Sequence, residues 1–487
     1  MALKVGSRLA PRDVIALTAL LACLVPVVAL AQGHGEERQN TRLVGSHDLQ
    51  ARSAYHPLPV TQGGRRLLYV GHHAGEALNP LTGEIEVNGT SIVDVTDPAS
   101  PAYLHHIPAT GGARGAQMVQ VCSGAELPGA DAGETYLLRA NGNESHEVWD
   151  VSDPARPSLV VTVARMGRTP DGEQNTHKNW WECETGMAYL VGTVDGWRAP
   201  RVIQAFDLST PDAPRRIRDF SLDGVQPDAV GPVPGGSGVH EVVRLGNRLY
   251  VSYGTSREGV LQIVDRDRFL EGDPSAAGPL APSPAGLRFP QRGRLDLPSF
   301  WGGHTAFPLL DVDIADYASN RDHHTRDFIV LVSESVANQC QEARHIVSFV
   351  DITDEAHPWP VSTFQVQEAA GGFCERGGRF GPHGTQWDMG PPFYRQLQVF
   401  SWFNAGMRVV DVRNPFEPVE VGYYIPATTP NTDERCATLD GVERCQTAIQ
   451  TNNVEVDDRG LIYLVDRANT GLHIVELTGP AAEIIGR

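Results

Sequence analysis

The chain has 487 residues, 41% hydrophobic and 20% charged, with a formal net charge of −19. That composition describes a folded protein with a large core. The acidic balance excludes nucleic acid as a partner, because a phosphate backbone calls for a basic surface. Fifty glycines and 35 prolines favour turn-rich β structure.

Residues 1–31 read as a unit of their own. Lys4, Arg8 and Arg12 precede an apolar run from Val14 to Leu30, which ends in the small-residue site Ala29-Leu30-Ala31. This predicts a secretory signal peptide cut before Gln32, hence a secreted or periplasmic protein. No second apolar run is long enough to span a membrane.

From there one phrase recurs: an apolar run ending in an acid, a turn with proline, then another apolar run. It reads SIVDVTDPASPAYL (91–104), HEVWDVSDPARPSLV (146–160), VIQAFDLSTPDAPRRI (202–217), VSFVDITDEAHPWPV (347–361) and MRVVDVRNPFEPVEV (407–421). Degenerate copies are LQIVDRDRFL (261–270) and LHIVEL (472–477). The acids Asp94, Asp150, Asp207, Asp265, Asp351, Asp411 and Glu476 recur every 56 to 65 residues, apart from one gap of 86. A second phrase precedes each copy, as in RRLLYVGHH (65–73) and NRLYVSYG (247–254). Each unit therefore holds four short strands, and no segment carries helical periodicity. Seven four-stranded units predict an all-β, seven-bladed β-propeller, since a small sheet buries both faces only in a closed ring.

The repeats resemble those of the LVIVD-repeat propeller family, whose strand and turn run close to IVDVSDPSNP. The likeness spans about residues 41–480. It implies the propeller fold and is nearly silent on activity. Two features depart from the pattern. A Pro/Gly-rich insertion at about 270–300 reads as a loop over one face, and DVDIADY (311–317) reads as a solvated loop, lacking the glycine and final glutamate of a calcium loop. The last unit lacks its fourth strand. RLVGSHDL (42–49) matches fourth-strand text and is expected to pair there, closing the ring and protecting its edge. Residues 32–487 thus form one domain.

Aligned on the first, innermost strand of each unit, the heads are His56, Gln117, His177, His240, His304, His383 and Asn453. Inner strands line the central channel, so this register gathers histidines far apart in sequence. Imidazole suits a transition metal, with Fe or Cu favoured and Zn possible. His177, His240, His304 and His383, on four successive blades, are the expected ligands, with His56 as a fifth. Second-strand ends place His72–His73, Arg139, Tyr253, Glu334, Trp402 and Asp466 on the same face. Glu334 or Asp466 can accept from a ligand N–H. Arg139 can bind an anionic group, and Tyr253 can donate a proton. Trp180, Trp181, Trp301 and Trp402 form either an aromatic wall or inter-blade packing.

Cys23 leaves with the signal peptide. Of the six remaining cysteines, Cys436 and Cys445 close one polar loop, Cys122 and Cys183 end adjacent inner strands, and Cys340 and Cys374 lie in loops of the histidine face. Disulfides are expected; six cysteines allow fifteen pairings, of which Cys436–Cys445 is the one the sequence favours, while the other two pairs could bridge in a propeller.

These expectations lead to a metal-dependent oxidoreductase or oxygenase acting on a small organic substrate in the axial funnel. The architecture is similar to that of carotenoid-cleavage oxygenases, seven-bladed propellers with four axial histidines on Fe(II), although none of their motifs occurs here. The alternative is a non-catalytic propeller that binds a protein or glycan, with histidines lining a water-filled channel.

Overall fold

The computed structural model describes residues 33–110, 114–314 and 324–487. The proposed signal peptide lies outside them. Seven four-stranded antiparallel sheets follow one another around a ring. Blade four is typical, with strands Val239–Leu245, Arg248–Tyr253, Val260–Asp265 and Gln291–Asp296, from axis to rim. The other inner strands are Ala54–Gln62, Val119–Ser123, Thr176–Trp181, Thr305–Asp313 and Thr451–Val456. From blade one to blade five the inner strands of neighbouring blades touch in chain order, and that of blade seven touches blade six and returns to blade one.

The period-2 pattern of the second strands explains the packing. In blade four, Leu249 and Val251 face the core shared with blade three, while Tyr250 between them faces the core shared with blade five. In blade one, Leu68 and Val70 face blade seven, and Leu67 and Tyr69 face blade two. Successive side chains point to opposite faces of a sheet. A sheet apolar on both faces is stable only between two others, and each fully buried Leu or Val contributes about 1.5–3 kcal/mol. Among the described residues, one such core fills each junction between blades.

The ring closes as expected. Thr41–His47 pairs antiparallel with Leu472–Leu477, from Thr41 opposite Leu477 to His47 opposite Leu472. A second pairing was not anticipated: Glu37–Gln39 adds to Val419–Ile425 of blade six. One N-terminal segment thus fastens two blades. Blade six needs the help, because its inner run is irregular. There Thr385 bridges Phe400, and His383 N–H donates to Ser401 at 3.0 Å.

Three further departures have physical causes. The 270–300 insertion is not all loop. Asp265 caps a short helix, Arg266–Glu271, a second helix follows at Pro284–Arg288, and Gln291–Asp296 is the fourth strand. Phe269 and Leu287 plug the core between blades three and four. The insertion leaves from the Asp265 end of its strand, opposite Arg248, whereas the histidine end lies beside Tyr253. It therefore covers the other face. Asp311 and Asp313 lie on the long inner strand of blade five, not in a loop, and residues 315–323 are outside the described set. Two extra hairpins rise on the histidine face, Glu76–Asn79 with Glu84–Val87 and Glu434–Leu439 with Val442–Thr447. No helix among the described residues is long and apolar enough to cross a membrane.

Disulfides join all three pairs: Cys122–Cys183, Cys340–Cys374 and Cys436–Cys445, with Cα separations of 5.3, 5.5 and 3.9 Å.

Candidate metal centre

The inner strands do not run straight into the channel. Each pairing in blades one, three, four and seven slips by one residue at its head. Val239 lies opposite Tyr253 but Glu241 opposite Ser252, so His240 is the extra residue of a bulge. Tyr55 and Asn452 are the extra residues of blades one and seven. In blade three the slip falls between Thr176 and Asn179. A bulge re-aims side chains and turns two successive residues toward one side. The channel therefore receives polar pairs: Tyr55–His56, His177–Lys178, His240–Glu241 and Asn452–Asn453.

The register read from sequence is thus off by one in two blades. Tyr55 and Asn452, not His56 and Asn453, correspond to His240. His56 accordingly stands apart from the other four histidines. Its Nδ1 lies 3.1 Å from the Asn453 amide, and its ring rests on Trp387 at 4.8 Å.

His177, His240, His304 and His383 do meet. Successive ring centroids are 4.3, 3.8 and 4.3 Å apart. All four are buried. Burial is the largest cause that drives each imidazole well below its ordinary pKa, helped by Arg201 at His177, His177 at His240, His240 at His304 and Lys178 at His383. The rings are neutral and carry lone pairs. They form an arc rather than converging on one point, and carboxylates join them. Ligand atoms within 4.8 Å of one another group as His240–Glu241–His304 and as His304–Glu334–His383. The all-histidine set expected from sequence is therefore a mixed one. Glu334 lies 3.7 Å from His304 Nε2 and 3.8 Å from His383 Nε2.

Hydrogen bonds assign the tautomers. Asn452 donates its amide N–H to the Tyr55 carbonyl at 2.9 Å, which leaves Asn452 Oδ1 to accept from His73 Nε2. His73 Nδ1 then accepts from Gln117 Nε2, and Gln117 Oε1 faces His177 Nδ1 at 3.1 Å. His177 Nδ1 thus carries the proton, and its Nε2 lone pair points at His240 Nε2, 2.7 Å away. With His240 donating there, its Nδ1 is a lone pair with no partner in a buried position. His304 Nε2 is likewise buried and unpartnered. His383 donates Nδ1–H to the Asn452 carbonyl at 2.7 Å and the Asn453 side-chain oxygen at 2.6 Å, leaving Nε2 bare toward Glu334. Buried polar atoms without partners are rare. Lone pairs without donors beside a carboxylate suit a cation, and the donor set of imidazoles and one carboxylate suits a transition metal.

Both carboxylates are also ion-paired: Glu334 Oε1 accepts from Arg379 at 2.9 Å, and Glu241 forms a fully buried pair with Lys178 at 3.2 Å. Burial pushes Lys178 down and Glu241 up, each toward its neutral form, and their mutual attraction opposes this. Lys178 also sits over the rings of Tyr55 and Trp387, at 5.0 and 5.1 Å.

The remaining sequence-derived candidates are engaged elsewhere. Arg139 pairs with Glu147 at 3.1 Å and bonds the carbonyls of Ile107 and Pro108. Tyr253 donates to Gln262 at 2.7 Å inside the core of blades three and four. Asp466 accepts from the backbone N–H groups of Gln450, Ala468 and Thr470, shaping a turn, and burial lifts it to about 6. Trp181 and Trp402 are inter-blade packing, and Trp301 donates to the Arg344 carbonyl. Only Trp180 of the four reaches the axial cluster, against Trp387 at 5.3 Å.

Sequence reading missed Tyr55, Lys178, Glu241, Trp387 and Asn452. The signal was the polar pair at each strand head, since a plain strand would send its second member into a core. It also missed Arg201, Arg379 and Arg467, which stand in loops of the same face. In comparisons with known proteins, no family model matches the chain and no curated protein is significantly similar to it.

Proposed function

We propose that this propeller is a metal-dependent oxidoreductase whose axial site holds a transition metal through His304, His383 and Glu334, with His240 beside His304. His177 serves as the acceptor that sets the tautomer of His240. The observation that carries this reading is the buried, unpartnered His304 Nε2, 3.7 Å from the Glu334 carboxylate, which also lies 3.8 Å from His383 Nε2. Imidazoles with one carboxylate favour Fe(II) over Cu, with Zn as the hydrolytic counterpart. A bound iron of this kind supplies redox chemistry on a small organic substrate. The chain supplies neutral ligands and hydrogen bonds that orient them in a buried, polar setting.

Metal analysis of the purified protein tests this. Close to one equivalent of iron is expected, falling to background in His304→Ala and in His383→Ala while both variants stay folded by circular dichroism. A metal-free wild type, or metal that persists in both variants, overturns it.

One observation favours a second reading, a non-catalytic propeller with a protein partner. The hairpin of blade one lifts Leu78, Leu81 and Ile85 from the histidine face at 56%, 57% and 68% exposure. Under that reading the protein carries no stoichiometric metal.

A further inference from the structure

The mouth of the histidine cluster gathers donors that lack acceptors. Arg201 is only 6% exposed, yet its Nε has no partner, and its one side-chain hydrogen bond reaches the Thr255 hydroxyl at 3.2 Å. Arg467 makes no side-chain hydrogen bond or ion pair with the described residues; only its backbone is held, by Gln450, Ser53 and Arg435. The hydroxyl of Tyr55 is buried and unpartnered. Its ring packs edge-on against His73, His177 and His383, at 4.9, 6.0 and 5.6 Å.

These groups share one frame. Thr255 links the Arg201 side chain to the backbone of Glu334, and Gln450 links the backbones of Arg379 and Arg467. The charges of Glu334 and Glu241, and after them those of Arg201 and Arg467, act on Tyr55.

Structural arginines in this protein look different. Arg52 donates to the carbonyls of Glu86 and Ala77, Arg139 to Ile107 and Pro108, Arg218 to Phe269 and Gly286, and Arg408 to Ala405. Each of those guanidiniums has backbone acceptors that explain its burial. Arg201 and Arg467 have none. Nearby, Arg379 is the partner of Glu334 at 2.9 Å and lies over Phe403 at 5.3 Å. A chain of net charge −19 thus gathers three arginines around the one carboxylate of Glu334 at one end of its axis. Low-dielectric walls focus such a field.

We propose that Arg201, Arg467 and Tyr55 form a binding site for the carboxylate of a small organic ligand, seated against His177 and His383. Planar guanidiniums match a carboxylate in two-point contact, and the Tyr55 hydroxyl supplies a third donor. The rings of Tyr55 and Phe403 offer its carbon skeleton an apolar wall. This deepens the metal reading by naming the substrate class, but binding of the anion does not require the metal.

The probe is benzoate, titrated calorimetrically into the full mature chain, once as purified and once after metal removal, with neutral benzamide as the comparison. Benzoate is expected to bind both forms, and benzamide neither. Arg467→Met, at a partly exposed position, and Tyr55→Phe are each expected to weaken benzoate about tenfold or more, the loss of one charge-assisted hydrogen bond. Exposed Arg156→Met is expected to bind as wild type. Failure of benzoate to bind folded wild type overturns the site. So does equal binding of benzamide, or unchanged affinity in Arg467→Met. Preference for inorganic phosphate with no benzoate binding overturns the carboxylate assignment. Benzoate binding by a protein that proves metal-free overturns the metal reading alone and leaves this one standing.

Discussion

The two ends of each blade solve different problems with the same strands. At the end away from the histidines, the solution repeats. Asp94, Asp150, Asp207, Asp351 and Asp411 each accept from the backbone N–H two residues on, at 2.8–3.1 Å. Arg65, Arg215, Arg326 and Arg413 pair with four of them. At the histidine end a one-residue slip recurs in four blades, but the groups it presents differ, loops are of unequal length, and a buried Lys178–Glu241 pair and unpartnered imidazole nitrogens stand among them. Satisfied, local bonding marks the end that holds the blades together. Unsatisfied, non-local polar groups mark the end where the candidate site lies, and such groups carry a cost in stability that function commonly imposes.

The largest effect should come from opening the ring, which removes the support of both ends at once. Deleting residues 33–47 strips blade seven of its fourth strand and blade six of its outermost one. Loss of cooperative unfolding, or a fall in melting temperature of about 10 °C or more, is expected by calorimetry. An unchanged transition would mean that closure rests on the inter-blade cores alone.

A paired substitution sharpens the contrast between the ends. Asp351 is buried and bonds Arg326 at 2.6 Å, so Asp351→Ala leaves a half-buried guanidinium unpaired and should cost about 3 kcal/mol in urea unfolding. Arg467→Met at the other end should cost nothing or stabilise, because it removes a charge that has no acceptor. Equal losses would erase the distinction.

The smallest effect is a pH slope. Burial, helped by the charge of Asp388, lifts Glu455 from the ordinary 4.5 to about 8. The native state then holds this proton more tightly than the unfolded chain. Stability therefore falls as pH rises from about 4.5 to about 8. Glu455→Gln should flatten that fall, seen as a melting temperature that declines less between pH 5 and pH 8.5. A slope identical to wild type would assign it to other groups.

Much of the molecule was legible before its structure. The acid-and-proline phrase marks the third strand and turn because an aspartate caps its own turn within a few residues. The match of 42–49 to fourth-strand text located the closing strand for the same reason: strand pairing reads as a pattern. Two of the disulfides became candidate bridges once the blades were counted, since each joins positions that the repeat brings together. The site was legible only in part. His177, His240, His304 and His383 were found because blade register carries them to one place. His56 was misplaced because a bulge adds one residue without changing the apolar alternation beyond it. Arg139, Tyr253 and Asp466 were assigned by position at strand ends, where the side chain turns inward or outward according to neighbours that position does not reveal.

By itself, then, the sequence determined the seven-fold repeat, the strand alternation and the ring closure, all set by local bonding or by one repeated register. Only the tertiary structure decided which polar groups share the axis. Glu334 joins the histidines, Tyr55 takes the place expected of His56, and Arg201 and Arg467 stand without acceptors. Those outcomes depend on bulges and loops that differ from blade to blade, and a contact between loops of unlike length leaves no period to read.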